Sequence, residues 1–552
     1  MLLRPQTACR PPNAWVLTIS VLAGLVSLPV LAVVANLAAP SLDIWRHLAA
    51  TVLPAYVGNS LLLMLGVGLG VAVGGVGAAW LVTMCRFPGS RGLEWALLLP
   101  MAMPAYVVAY TYTGLLDFAG PVQGALRLLG GWASARDYWF PEIRSLGGAV
   151  TVMTLVLYPY VYILARTAFL EQSVCVLEAS RTLGRTPWQA FVGVALPLAR
   201  PAIAAGVALA LMETLNDFGT VQYFAVDTFA TGIYRTWMGM GQPAVAAQLG
   251  AMLMLFVLVL IVVERLSRGA ARAHHTTPRY RSLPRIRLRR WRAFLAFVFC
   301  AAPVAFGFAI PAITLAAWSS GSETDVAAFV ALAGNSLILA TVTGGLAVLV
   351  ALVLAFGRRL HPTLFLAVLL RLTSLGYAIP GGVIAVGILV PLTALDREIA
   401  AFARQHLGLG VGLLMTGSVG ALVYAYLVRF LAVAANTVEA SLDKVTPNME
   451  AAARTLGLSP LATLRRVHAP IMRGSLLSAA LLVFVDVMKE LPATLIIRPF
   501  NFDTLATRTF TLASDERLAD AALPALAIVA AGLAPVVLLS RAIARSRPGD
   551  HS

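Results

Sequence analysis

The stretches EASRTLGRTPWQAFVGVALPLARP (Glu178 to Pro201) and AAARTLGLSPLATLRRVHAPIMRG (Ala451 to Gly474) are imperfect copies of one another. Each is a polar, arginine-bearing loop between long apolar runs, with a Gly in its middle and a Pro towards its end. One such loop reads as an ordinary interfacial helix pair packed on its own bundle. Two at matched positions predict a duplicated fold, and docking onto a partner that is itself duplicated.

Composition agrees with a membrane setting. Of 552 residues, 59% are hydrophobic and 12% charged, and the mean hydropathy is +0.83. Soluble domains run at about 45–50% apolar and about 25% charged. A span needs about 20 apolar residues, and twelve runs qualify: 14–38, 57–83, 93–115, 147–170, 198–224, 241–263, 293–318, 331–357, 362–394, 410–436, 473–497 and 522–541. Barrel-type alternation is missing. The expected fold is all-α and polytopic. The run 14–38 is longer than a signal-peptide core of about 7–15 residues, so it reads as a retained first helix. Cys9, Cys85, Cys175 and Cys300 form no CxxC pair and read as free thiols.

The net charge of +16 is carried almost wholly by Arg in short loops, which is a topology signal rather than a nucleic-acid one. Segments 84–92, 357–361 and 540–548, the N-terminal stretch and the basic stretch 264–292 all fall on one side, the expected cytoplasmic one. Both termini are then cytoplasmic. The basic stretch, with His274 and His275, reads as a solvated linker facing anionic lipid, between repeats spanning 1–264 and 293–552.

GNSL at Gly58 to Leu61 returns at Gly334 to Leu337, 276 positions on, and Pro104 falls on Pro380 at the same spacing. The loops repeat at 273, from Gly184 to Gly457 and from Pro197 to Pro470, and this register is read onward to Arg235 and Arg508. Six spans per half make the repeats parallel, with a shared path between them. Each loop (about 172–201 and 437–474) predicts a helix, a break and a second helix. Leu177, Arg181 and Leu183 lie on the first helix. Thr186–Pro187 and Ser459–Pro460 start the second as N-cap and first helical residue, and the second helices are expected to stop before Pro197 and Pro470.

After each loop comes a span with acids. Glu213 and Asp217 map onto Asp486 and Glu490 at the 273 spacing. The i,i+4 spacing puts each pair on one helical face. Charge at bilayer depth costs about 2.5–3.5 kcal/mol per residue on insertion scales, so matched pairs suggest a polar path or a cation-sensitive gate. Pairing within the span is the competing reading, with Lys489 beside Glu490 and Asn216 at the matching first-half position. Pro104 and Pro380 are expected to interrupt spans near the path, and Met101, Met103, Tyr106, Tyr110 and Tyr112 to pack helices. GxxxxGK[ST] is missing, so no nucleotide site is expected on this chain.

The loops resemble the EAA loop of ABC importer permeases: Glu178, Ala179, Gly184, Val194 and Pro197 fit, as do Ala452, Gly457, Val467 and Pro470. The second copy departs in having its Glu one place early, at Glu450, and Ala469 where the first has Leu196. The resemblance implies coupling helices, with Arg181 and Arg454 among their charges, seated in clefts of a separate cytoplasmic ATPase, expected as a homodimer, which binds the ATP and Mg. Segments 97–127, 212–224 and 486–510 look like ferric-iron ABC importer permeases, which fuse both halves in one chain. That likeness implies an inner-membrane subunit receiving Fe(III) from a periplasmic binding protein. The same architecture could serve thiamine or an inorganic anion. An ion-driven secondary transporter would use the acids but leave the matched loops unexplained.

Overall fold

The computed structural model describes residues 14–39, 42–171, 184, 186–268, 285–321, 325–443 and 445–545. Its main helices are α1 (Ala14–Ala35), α2 (Leu53–Met84), α3 (Ala105–Leu116), α4 (Leu146–Glu171), α5 (Leu196–Asn216), α6 (Gly219–Tyr223), α7 (Phe229–Tyr234), α8 (Pro243–Arg268), α9 (Arg290–Val304), α10 (Ile310–Ser319), α11 (Val326–Leu360), α12 (Leu364–Thr373), α13 (Gly381–Phe402), α14 (Val419–Leu442), α15 (Pro447–Thr455), α16 (Ala469–Met488), α17 (Pro492–Ile497), α18 (Leu505–Ser514) and α19 (Leu518–Arg545). The fold is all-α, save for a two-residue parallel ladder between Cys85–Arg86 and Ile286–Arg287 among the described residues.

Among the described residues, ten helices are long and apolar enough to cross a membrane, and twelve spans result if each of two bent pairs is one span. The bends interrupt the spans read at 93–115 and 362–394, at the two prolines expected to break them. Helical segments Ser90–Ala102 and Ala105–Gly130 meet at 92°, and Leu364–Ala378 and Gly381–Leu407 at 117°. Pro104 and Pro380 sit at the two breaks in extended conformation, as N-caps of α3 and α13. A proline lacks the N–H that would continue the preceding helix and starts a new one without loss.

The chain forms two compact units that cut across the sequence repeats. One contains Met1–Asn36, Leu337–Val487 and Ile497–Phe500. In it α1 packs on α12 and α13, so close that a methyl at Gly387 would lie 2.4 Å from the Pro29 carbonyl oxygen. Pro29 leaves the Leu25 carbonyl without its helical N–H, and the Tyr424 hydroxyl donates to that oxygen instead. The other unit contains Leu37–Ser336, Met488–Ile496 and Asn501–Ser552. There α4 packs on both α2 and α5, which also pack on each other. A methyl at Gly206 would come within 2.8 Å of Val161 Cα, and one at Gly75 within 2.7 Å of Val161 Cβ. Small residues let apolar helices approach backbone to backbone, which is how helices associate where burial from water contributes little.

Candidate functional site

In the second loop α15 ends in a hydrogen-bonded turn. Gly457 N–H donates to Arg454 O (3.0 Å) and Leu458 N–H to Ala453 O (3.1 Å). Gly457 has φ +76°, a conformation that costs a residue with a Cβ about 1–2 kcal/mol. Ser459 then accepts from Ala462 N–H at 3.3 Å, as an N-cap. In the first loop Glu178, Ala179 and Arg181 lie outside the described residues. Gly184 has φ +79°. Thr186 forms a reciprocal cap with Gln189, donating its N–H to Oε1 (2.9 Å) and accepting the Gln189 N–H on Oγ1 (3.3 Å). Ser459→Ala should cost about 1 kcal/mol of local stability. Hydrogen exchange at the Ala462 amide should speed up, while amides deep in α16 stay unchanged.

The second helices do not stop at their prolines. Each passes through a π turn, Phe191–Ala195 or Leu464–His468, and runs on as α5 or α16. The expected ends before Pro197 and Pro470 are therefore wrong. A proline clashes with the carbonyl four residues back. Here that residue, Gly193 or Arg466, lies in the wider π turn, so the loop's second helix continues into the span. Pro311 uses the same device, after a π turn at Ala305–Ala309.

Glu450 is turned inward. Its Oε1 lies 2.7 Å from Arg359 Nε and 3.3 Å from His468 Nε2. Arg359, at the end of α11, also donates to the carbonyls of Leu442 (2.6 Å) and Val445. The loop's outer surface carries Met449, Arg454, Leu456, Leu461, Arg465 and Arg466, all exposed. The first loop exposes Trp188, which packs on Phe191 at 5.4 Å between ring centres.

The acids sit differently from expectation. Glu213 lies in the last turn of α5, but that helix ends at Asn216 and Asp217 is extended. Asp486 lies in the last turn of α16, which ends at Met488, before Lys489 and Glu490. The members of each pair therefore do not share one continuous helical face. Each second acid instead caps the next short helix. Asp217 accepts from Thr220 N–H (2.9 Å), Thr220 O–H (3.0 Å) and Val221 N–H (3.3 Å) at the start of α6. Glu490 accepts from Ala493 N–H (2.9 Å) at the start of α17. A charged side chain capping orphan N–H groups is one way to hold an acid at low exposure.

Beyond these breaks the register returns to 276. Asn59 Nδ2 donates to Asp227 O (2.9 Å), and Asn335 Nδ2 to Asp503 O (3.0 Å). Thr228 with Thr231, and Thr504 with Thr507, build matching capping boxes on α7 and α18. The continuation of the 273 register to Arg235 and Arg508 is thus corrected. Arg235 pairs with Asp227, and its counterpart at 276 is Thr511. The second copy carries three extra residues between Glu490 and Asp503, a segment whose Asn501 takes φ +58°.

Doubled helical spans, doubled breaks and doubled polar loops define a two-repeat membrane permease. The chain belongs to the family of binding-protein-dependent transport system inner membrane components, which it matches over residues 66–272. It is 26% identical over 545 residues to the Fe(3+)-transport system permease protein FbpB 2 of Haemophilus influenzae, covering 96% of this chain and 99% of that protein. It is 30% identical over 210 residues to the molybdenum transport system permease protein ModB of Escherichia coli, covering 36% of this chain and 87% of that one. The sulfate transport system permease protein CysT of Escherichia coli is 33% identical over 147 residues, 27% of this chain and 50% of that protein.

Proposed function

We propose that this chain is the transmembrane subunit of an ATP-driven importer, and that it passes ferric iron from a periplasmic binding protein to the cytoplasm. Likeness to the ferric relative over nearly the whole chain carries this reading. The molybdenum and sulfate relatives match about a third of it or less. The acidic breaks agree, since Asp217 and Glu490 stand where an oxyanion would meet repulsion. Arg placement supports cytoplasmic termini, and with them cytoplasmic loops. A separate ATPase, as a homodimer, would seat one loop in each subunit. The exposed leucines and arginines of the second loop offer it an apolar knob with a charged rim.

Membranes carrying the chain should take up radioiron only with a co-expressed ATPase and loaded binding protein, and should ignore sulfate and molybdate. Uptake without an ATPase would instead support an ion-driven carrier.

A further inference from the structure

Buried tyrosines in the Leu37–Ser336 unit treat their hydroxyls in two ways. Tyr112 donates to Phe306 O (2.6 Å), Tyr158 to Leu97 O (2.8 Å) and Tyr162 to Glu94 O (2.6 Å). Tyr106 and Tyr110, 5% and 0% exposed, have hydroxyls with no hydrogen-bond partner among the described residues. A buried phenol normally finds one. Two adjacent exceptions, one turn apart on α3, call for a ligand.

Their surroundings say which kind. Tyr106 is wedged between the two helix breaks. A methyl at Gly219, two residues after Asp217, would lie 2.7 Å from Tyr106 Cβ and 2.9 Å from Leu491 Cδ2, next to Glu490. The Tyr106 phenol is within electrostatic reach of both the Glu490 and Asp217 carboxylates, and Tyr110 within reach of Tyr106 and Tyr223. Phe510 closes one side, its ring centre 6.4 Å from that of Tyr106. Nearby cations are engaged. Arg144 stands 5.2 Å over the Tyr223 ring, with Asp117 at 3.9 Å and Glu516 at 3.7 Å, and Lys489 has partners of its own. No three His, Cys, Asp or Glu side chains are grouped to hold a metal among the described residues. The phenols supply the donors that two carboxylates lack.

We propose that Tyr106 and Tyr110, with Asp217 and Glu490, form an all-oxygen transit site for a hard, highly charged cation. Carboxylate and phenol oxygens suit such an ion, whereas an anion would face two negative charges. Each phenol loses its proton to water as its oxygen binds the metal and regains it when the metal leaves. The site rests on the ferric reading above, and it makes the α6 and α17 breaks part of the cargo's route.

Tyr106→Phe and Tyr110→Phe test it in the complete importer with ATPase and loaded binding protein. Both keep the ring packing and remove only an unpartnered hydroxyl, so the melting temperature should hold or rise. Radioiron uptake by the double variant should fall roughly tenfold, the low end of what losing a metal-supporting group costs. Iron uptake equal to wild type would overturn the site alone. A wild-type complex that imports sulfate or molybdate but not iron would overturn the ferric reading beneath it. A lower melting temperature with proportionate loss of assembled complex and unchanged uptake per complex would reduce the tyrosines to packing.

Discussion

Asp217→Asn combined with Glu490→Gln is expected to cut iron uptake about tenfold, the effect of ~1.4 kcal/mol on a barrier, with the chain still assembled. The amide oxygens can take over the caps. Asn at 217 can accept the Thr220 and Val221 N–H groups that Asp217 now accepts, and Asn caps as well as Asp. Gln at 490 can accept from Ala493 N–H. What disappears is two negative charges at membrane depth, whose removal relieves a cost of about 2.5–3.5 kcal/mol each on insertion scales. Stability should therefore hold while transport falls. Asp217→Ala with Glu490→Ala removes the caps as well and should lose about 1 kcal/mol more at each site. Radioiron uptake and thermal melting of the purified complex separate the two effects. Full uptake by the Asn/Gln variant would leave these acids as helix caps only.

The doubled loops, the doubled acids and the break at Pro104 were legible because charge, Gly and Pro stand out against an apolar chain. Thr186–Pro187 and Ser459–Pro460 announced their caps by local chemistry, which tertiary packing did not override. What failed was anything set by packing at a distance. Pro197 and Pro470 look like helix ends, yet a π turn absorbs each of them. Asp217 and Glu490 have the spacing of a helical face, but the helix stops first and the acids cap its successor. Nothing local to Pro29 or Gly387 says that the first helix packs with α12 and α13. Tyr106 and Tyr110 read as packing residues because a phenol's missing partner can be seen only once its neighbours are placed. The three extra residues after Glu490 were hidden by extending one register through a loop.

These differences share a consequence. The second helix of each loop runs through a π turn into its span without stopping at the proline, so loop and span are continuous helix in both repeats. Those helices end at Asn216 and Met488, and the capping acids Asp217 and Glu490 follow at the helix breaks. The loop and the acidic break are two ends of one element in each repeat.

Arg359→Ala should then uncouple the second loop. Arg359 holds Glu450 at 2.7 Å and donates to the Leu442 and Val445 carbonyls. Its removal leaves an acid that is 17% exposed without its cation. Breaking a fully buried pair from one side costs about 3–5 kcal/mol. Because both groups keep some solvent access, about 2–3 kcal/mol is expected here. His468 is too weak a substitute, since it is charged only when protonated. The α15 segment would loosen from the end of α11 while Leu456 and Leu461 remain exposed. ATP hydrolysis should continue with iron uptake reduced at least about tenfold, since ~1.4 kcal/mol suffices for that factor. Arg359→Ala with Glu450→Ala should recover part of the lost stability, because no acid is then stranded. The first-loop Gly184→Pro variant should uncouple in the same sense, since proline cannot adopt the φ of +79° found there. The ratio of iron imported to ATP hydrolysed, measured in reconstituted vesicles, checks each variant. A wild-type ratio in Arg359→Ala would mean that the Glu450 contact stabilises the loop without transmitting force.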